Sequence, residues 1–489
     1  MKKSFLTLIL TLGFITYSIS QQNIMNEGWA AFKESNYSQA ISKFESAANN
    51  EQTKAEANLA LSIVYHTENE SKKSFEHFKV FYEASPSPLN ELYALWKTES
   101  VSGGRGKLSK ERLTFLSSLD FGNADGMYKA VNNEFFNNHY VMANSPGTAK
   151  NYANTEGVVS NWSILGGFDN VSASGFNKTH GTLEFPQSSK IFRNKNGGKI
   201  QWFETAYMPL SNWLASAHYF VNNNTVIYGQ SFCNSPSEQQ VQIRVGTYGS
   251  FRLWVNDVLV MEEEEEQITD IDAYSVTVNL NKGNNRILVQ MGCSELSNSA
   301  IFVRLTDKNG NPVTNVTFDS KYVSYEKGGN KNPTYKELPA EVHFRNEIKE
   351  NPNELLNYIL LYYTYLHNGK KQQKLELMKE ASEKFPKSSL IKSFLIRSYS
   401  SVDNETDMSK ELEALKELAP ESYQALTLVF EEKMKKEEHD DAEETIDKMI
   451  DLYGEDIVTV SFQIQLASAR KKDQELIGII KRAFKKISK

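Results

Sequence analysis

The sequence predicts a multidomain α+β protein in which α-helical repeats flank a β-sandwich. Alternate residues are apolar in the middle of the chain, whereas a helical apolar period of about 3.6 residues precedes and follows that part. A length of 489 residues also exceeds what one domain usually holds. We predict five segments: a signal peptide over residues 1–20, an N-terminal helical domain over 21–150, a β-sandwich over 151–320, a linker over 321–345, and C-terminal helical repeats over 346–489.

The first twenty residues have the composition of a secretory signal peptide. Lys2 and Lys3 form a basic start, the stretch Phe5 to Ile15 is apolar, and Ser20 ends a run of small residues suited to cleavage. Because the apolar stretch is too short to span a bilayer comfortably, we expect an exported protein, periplasmic or extracellular, that is not membrane-spanning. The net charge of −7 does not favour a nucleic-acid partner.

The helical segments repeat after 34 residues. Ala40 and Phe44 are followed at that interval by Ser74 and Phe78 (74 − 40 = 34). In the C-terminal segment, Pro residues and one apolar position of the second helices recur at the same interval: Pro352, Pro386 and Pro420, and Met378, Leu412, Ile446 and Ile480. This period resembles that of the tetratricopeptide repeat family, a helix-turn-helix unit of the same length. The resemblance implies surfaces that bind protein partners, although Lys374 stands where the family has a small residue.

The stretch from Tyr248 to Cys293 has the clearest two-residue period. Phe251, Leu253 and Val255 alternate with polar residues and with Trp254, which we therefore expect on the opposite face of the strand. The dipeptide Asn256-Asp257 predicts a tight hairpin, because both residue types tolerate left-handed backbone angles. About ten such strands are predicted, enough for two packed sheets.

Three motifs of this segment resemble the galactose-binding-like class of jelly-roll domains. They are the stretch Trp162 to Phe168, the stretch Phe251 to Asp257, and the stretch Leu280 to Val289. The resemblance implies a sandwich fold and a possible carbohydrate ligand. Aromatic rings stack on sugar faces, so Trp202, Trp213 and Trp254 are the candidate ligand-binding residues, with core packing as the alternative for each.

The sequence contains no catalytic or metal-binding signature. Neither Gly-x-Ser-x-Gly nor His-Glu-x-x-His occurs, and we expect no cofactor. Cys233 and Cys293 are open to two interpretations, buried thiols or one structural disulfide. The run from Glu262 to Glu266 is predicted to be an exposed loop because like charges repel, with a calcium site as the alternative.

The order of repeats, jelly roll and repeats resembles the front part of exported bacterial transglutaminase-like proteins. The enzyme domain of those proteins is not matched in this sequence, so its activity is not carried over. We therefore expect an exported, non-catalytic binding or scaffold protein whose repeats contact protein partners. The alternatives are a carbohydrate-binding protein acting through the sandwich, the non-catalytic front part of a transglutaminase-like protein, and a hydrolase acting through acidic residues.

Overall fold

A computed structural model describes residues 22–487, except 104–107, 144, 146–155, 188, 206–211, 221–223 and 331. The predicted signal peptide lies outside the described residues. The protein is mixed α and β, with helices at both ends of the chain and a large antiparallel sheet between them in sequence. It divides into two compact units: a helical unit of Met1–Val101, Phe344–Tyr363 and Lys371–Lys489, and a sheet unit of Ser102–His343 and Thr364–Lys370.

The described helices are short, mostly three to four turns long. They are 22–33, Tyr37–Ala47, Lys54–Thr67, Ser71–Ala84, Leu89–Leu95, Lys110–Ser118, Met127–Met142, Pro339–Glu350, Leu355–His367, Lys371–Lys384, Ser389–Ser400, Glu405–Leu418, Tyr423–Lys435, His439–Tyr453, Ile457–Ala469 and Asp473–Ile487. Helices in the C-terminal segment begin at 34-residue intervals, at 355, 389, 423 and 457 for the first of each pair (389 − 355 = 34).

N-terminal caps set this register. Ser388, Ser422 and Asp456 precede successive first helices, and each side chain accepts a hydrogen bond from a backbone N–H of the first turn. Such caps satisfy donors that the helix itself leaves unpaired. The predicted apolar position of the second helices is buried at Met378, Leu412 and Ile446, but Ile480 is 47% exposed.

The N-terminal helices contact the C-terminal repeats inside the helical unit. The Tyr37 hydroxyl is 2.7 Å from the Ser389 hydroxyl, and Nε2 of His66 is 3.0 Å from the Tyr363 hydroxyl. The Asn69 amide donates to Asp456, the cap of the helix Ile457–Ala469. These contacts cover first helices of the C-terminal repeats, and Leu355–His367 is buried over nearly its whole length.

Among the described residues, eleven strands form one antiparallel sheet, and two short strands, Phe192–Arg193 and Lys199–Ile200, form a separate pair. The strands are β1 (Ser163–Asp169), β2 (Phe192–Arg193), β3 (Lys199–Ile200), β4 (Phe203–Glu204), β5 (Leu214–Ala215), β6 (Thr225–Ser235), β7 (Gln239–Val255), β8 (Val258–Ile268), β9 (Tyr274–Leu280), β10 (Gly283–Cys293), β11 (Ala300–Thr306), β12 (Thr317–Asp319) and β13 (Thr334–Tyr335).

The long strand β7 joins two groups of strands. Its first half pairs with β9 and β11, and its second half pairs with β8 and β10. Gly249 stands between the halves at a bulge with φ of +108°, and a Cβ there would lie 2.4 Å from the carbonyl oxygen of Gly292. The predicted hairpin after β7 is confirmed: Asn256 and Asp257 have φ of +50° and +65°, and Val255 pairs with Val258.

Both faces of the second half of β7 are buried. Phe251, Leu253 and Val255 belong to a large apolar cluster with side chains from both groups of strands. Trp254 points to the other face, into a second cluster with Leu288 and residues of the 165–202 region. The predicted alternation of Trp254 with its neighbours is therefore confirmed, and this position is core.

The glutamate run is a strand rather than the predicted loop, although Glu262, Glu264 and Glu265 are exposed as predicted. Glu262 to Glu266 lie within β8, where Arg252 of β7 binds Glu262 and Glu264 at 3.0 and 2.9 Å. Glu266 accepts hydrogen bonds from the backbone N–H groups of residues 294–296. Opposite charges on the adjacent strand offset the repulsion that argued for a loop.

The two cysteines are free and buried. In the register of β6 and β10, Cys233 pairs with Asn285 and Cys293 with Thr225, so the thiols lie eight rungs apart (293 − 285 = 8). At about 3.4 Å per residue this separation far exceeds the roughly 7 Å limit of Cα atoms in a disulfide. Of the two interpretations left open by the sequence, the structure has buried thiols.

Candidate functional site

Two of the three candidate tryptophans are packed in the second apolar cluster. Trp202 is 5% exposed and Trp254 is 9% exposed. The indole N–H of Trp202 donates to the carbonyl oxygen of Phe185 at 3.1 Å, which satisfies its buried polar atom. Neither ring presents an open face of the kind that stacks on a ligand.

Trp213 lies in a different environment. It is half-buried, its ring is 5.7 Å from that of Phe302, and its indole N–H donates to Oε1 of Glu134 at 3.2 Å. A cavity of about 320 Å³ adjoins it, with mainly apolar lining. The structure thus separates Trp213 from the other two candidates and places it at an open site.

A second open site lies beside Trp202, and we name it the Phe203 groove. Its volume is about 510 Å³, and its lining includes Ser163, Gln187, Trp202, Phe203, Glu204 and Tyr322. The rings of Phe203 and Tyr322 are 42% and 41% exposed. Adjacent residues of an extended chain point to opposite sides, so the burial of Trp202 leaves Phe203 facing outward. That alternation was the available sequence signal for Phe203.

A buried arginine network supports the floor of the Phe203 groove. Arg286 donates to Oε1 of Gln230 through Nε and Nη2, at 3.0 and 2.7 Å, and to Asp257 through Nη1 at 2.9 Å. The Gln230 amide donates in turn to the Ser163 hydroxyl at 3.2 Å. Charge-assisted hydrogen bonds of this kind hold Gln230 and Ser163, which line the floor of the groove, in one geometry.

Exposed apolar side chains in the helical unit are concentrated in one region. Among its described residues, the large apolar side chains with marked exposure are Leu452, Ile457, Ile477 and Ile480, at 48%, 66%, 44% and 47%. We call these four side chains the last-repeat patch. A separate cavity of about 340 Å³ is lined by Ile446, Leu466, Gly478 and Ile479 together with polar side chains, which are Glu443, Asp447, Gln463, Glu475 and Arg482. Ile480 was predicted to be a packing residue, so the sequence register did not reveal this surface.

The thiols are poor candidates for chemistry. Burial raises the pKa of the Cys233 thiol to about 12, so it stays protonated at neutral pH. Within the part of the chain that the structure describes, no group of three His, Cys, Asp or Glu side chains is arranged to hold a metal ion. In the same residues, no helix combines the length and apolar character needed to cross a bilayer.

No protein-family model matches the chain, and no curated protein matches it.

Proposed function

We propose that this chain is an exported, non-catalytic binding protein with tetratricopeptide-like repeats that bind a protein partner through the last-repeat patch. The observation that carries the proposal is the confinement of exposed large apolar side chains, in the described helical unit, to residues 452–480. Contiguous apolar side chains on a soluble surface commonly mark an interaction site. Ile477 and Ile480 stand three positions apart on one helix and therefore lie on the same face.

The covered first helices support this location. In the N-terminal part of the repeats, contacts such as Tyr37 with Ser389 and His66 with Tyr363 occupy side chains that would otherwise face a partner. A partner segment that presents apolar side chains fits the last-repeat patch.

The proposal is tested by measuring which envelope or secreted proteins the immobilised chain retains, and how much of each. Ile477→Ser together with Ile480→Ser removes exposed apolar area without touching the buried Ile479, so we expect retained partners to fall at least about tenfold. Quantitative mass spectrometry of the eluates measures the change. Ile191→Ser, at an equally exposed isoleucine of the sheet unit, is the matched control and should change nothing. Equal retention by all three proteins, or no retained protein, would contradict the proposal.

A non-catalytic role is consistent with the state of the thiols. A cysteine nucleophile acts as its thiolate, and Cys233 is fully buried with a raised pKa. Cys293 is buried as well, 3.7 Å from the Thr225 hydroxyl.

Carbohydrate binding by a jelly-roll-like sheet unit is the second candidate function, and the Phe203 groove favours it. Two exposed rings, Phe203 and Tyr322, line the same groove as the carboxylate of Glu204 and the amide of Gln187. Sugar recognition combines ring stacking on C–H faces with a few polar groups for the hydroxyls. The Phe203 groove supplies both the rings and the polar groups, which the predicted set of tryptophans does not.

Glycan-array screening followed by calorimetry tests this second function. Phe203→Ala with Tyr322→Ala removes both rings, and we expect a loss of about tenfold or more in affinity for any glycan bound. Tyr335→Ala is the control, because Tyr335 is 60% exposed and does not line the groove. An array without signal, or a double variant that binds as the parent does, would remove this function.

A further inference from the structure

The pocket beside Trp213 combines an apolar wall with one buried carboxylate. We name it the Trp213 pocket; its volume is about 320 Å³, and Glu134, Val141, Met142, Trp213, Tyr248 and Ile268 line it. Val141, Met142 and Ile268 are 48%, 64% and 37% exposed, so apolar side chains surround the opening. The volume lies near the lower end of the range of about 300–1,000 Å³ for small-molecule sites, which suits a small ligand or one side chain.

Glu134 is the unusual member of this lining. Its side chain belongs to the helix Met127–Met142, and the residue is only 9% exposed. Among the described residues its one hydrogen-bond partner is the Trp213 indole N–H, at 3.2 Å, and no Lys, Arg or His forms an ion pair with it. A carboxylate of low exposure with one neutral donor gains from a cation that completes its surroundings.

We propose that the Trp213 pocket binds an organic ammonium group. Glu134 is the counter-ion, held in place by the indole N–H, while the rings of Trp213 and Tyr248 contact the carbon atoms attached to the nitrogen. Tryptophan is the aromatic residue that attracts cations best, and a desolvated site strengthens that attraction. The apolar side chains at the opening exclude water from the contact between the ammonium group and Glu134.

The same lining distinguishes this ligand class from a sugar. A sugar requires several polar groups for its hydroxyls, whereas the polar groups here are the side chains of Glu134, Asn138 and Thr269 and the hydroxyl of Tyr248. The Thr269 hydroxyl already donates to the carbonyl oxygen of Asp270 at 2.9 Å. One carboxylate, one amide and two rings match an ammonium group attached to a short carbon chain, either as a free small molecule or as a lysine side chain.

Calorimetric titration of the full chain with choline and with 3,3-dimethylbutan-1-ol tests the proposal. The two probes have nearly the same shape and differ in charge, so we expect the neutral alcohol to bind at least about tenfold more weakly. N-acetyl-lysine methylamide forms the second arm, and the tighter of the two cations identifies a free metabolite or a lysine side chain as the source. Glu134→Gln keeps an acceptor for the indole N–H but removes the negative charge. It should lower the affinity for the more tightly bound of the two cations about tenfold or more.

The controls make each result decisive. Glu184→Gln removes an exposed carboxylate of the same unit and should leave affinity unchanged. If Glu134→Gln lowers the melting temperature, Trp213→Phe replaces it: that variant should weaken cation binding and abolish the ligand-induced change in tryptophan fluorescence. The proposal is overturned by equal binding of choline and the neutral alcohol, by Glu134→Gln binding like the parent, or by no cation binding below about 10 mM.

Discussion

Asp272→Asn is expected to lower the free energy of unfolding of the sheet unit by about 3–5 kcal/mol, the usual cost of removing one partner from a buried ion pair. Asp272 accepts from Nε of Arg304 at 2.8 and 2.9 Å, and both side chains are fully buried. Asparagine is the suitable replacement because Asp272 has φ of +60°, which asparagine tolerates. Urea unfolding followed by tryptophan fluorescence measures the loss in the transition of the sheet unit.

The effect is large because Asp272 separates two like charges. Arg244 and Arg304 stand directly opposite each other on β7 and β11, a destabilising arrangement without intervening carboxylates. Arg244 is held mainly by Asp125, through Nη1 at 2.6 Å and Nη2 at 2.9 Å. Arg304 depends chiefly on Asp272, with Glu156 at a longer 3.7 Å. Removing the Asp272 charge therefore leaves a buried guanidinium short of a counter-ion.

Two further variants test that explanation. Asp319→Asn alters an exposed carboxylate of the same sheet and should stay within about 0.5 kcal/mol of the parent. Adding Arg304→Met to Asp272→Asn should recover part of the loss, because the unpaired charge is then gone. If Asp272→Asn alone is as stable as Asp319→Asn, the ion-pair network contributes little to the stability of the sheet unit.

Local periodicity made much of the sheet predictable from the sequence. The alternation of Phe251, Leu253 and Val255 with Trp254 depends only on the two-residue repeat of a strand, and Asn256-Asp257 carries its own turn preference. The 34-residue spacing of helices was predictable for the same reason, since each unit repeats its caps and packing positions. Short stretches of sequence are therefore enough to predict these features.

Features that depend on distant residues were not predictable. The glutamate run becomes a strand because Arg252 lies beside it after β7 and β8 pair. The Trp213 pocket requires Glu134, 79 residues earlier in the chain. The helices before Val101 share one unit with the C-terminal repeats through contacts such as Tyr37 with Ser389, which are 352 residues apart. Periodicity gives no information about such pairings.

Lys374 shows how a departure from the repeat pattern has an energetic consequence. It replaces the small residue of the resembled repeat, is 6% exposed, and has its Nζ 5.9 Å from the centre of the Tyr362 ring. No carboxylate forms an ion pair with it among the described residues. Burial, with smaller contributions from the charges of Lys371 and Arg397, lowers the pKa of Lys374 from 10.5 to about 8. The folded chain therefore binds this proton less tightly than the unfolded chain does.

Lys374→Met is therefore expected to stabilise the helical unit at pH 7 by up to about 3.5 kcal/mol, since the pKa shift of about 2.5 units (10.5 − 8) corresponds to about 1.4 kcal/mol per unit. Between pH 8 and 10.5 the unfolded chain binds more protons at this residue than the folded chain, so the penalty shrinks as pH rises. The gain should vanish above about pH 10.5, where both states are neutral. Urea unfolding at pH 7 and at pH 10.5 measures both values. Lys379→Met, at an exposed lysine of the same helix, is the control, and a gain that is absent at pH 7 or persists unchanged at pH 10.5 would contradict the role of burial.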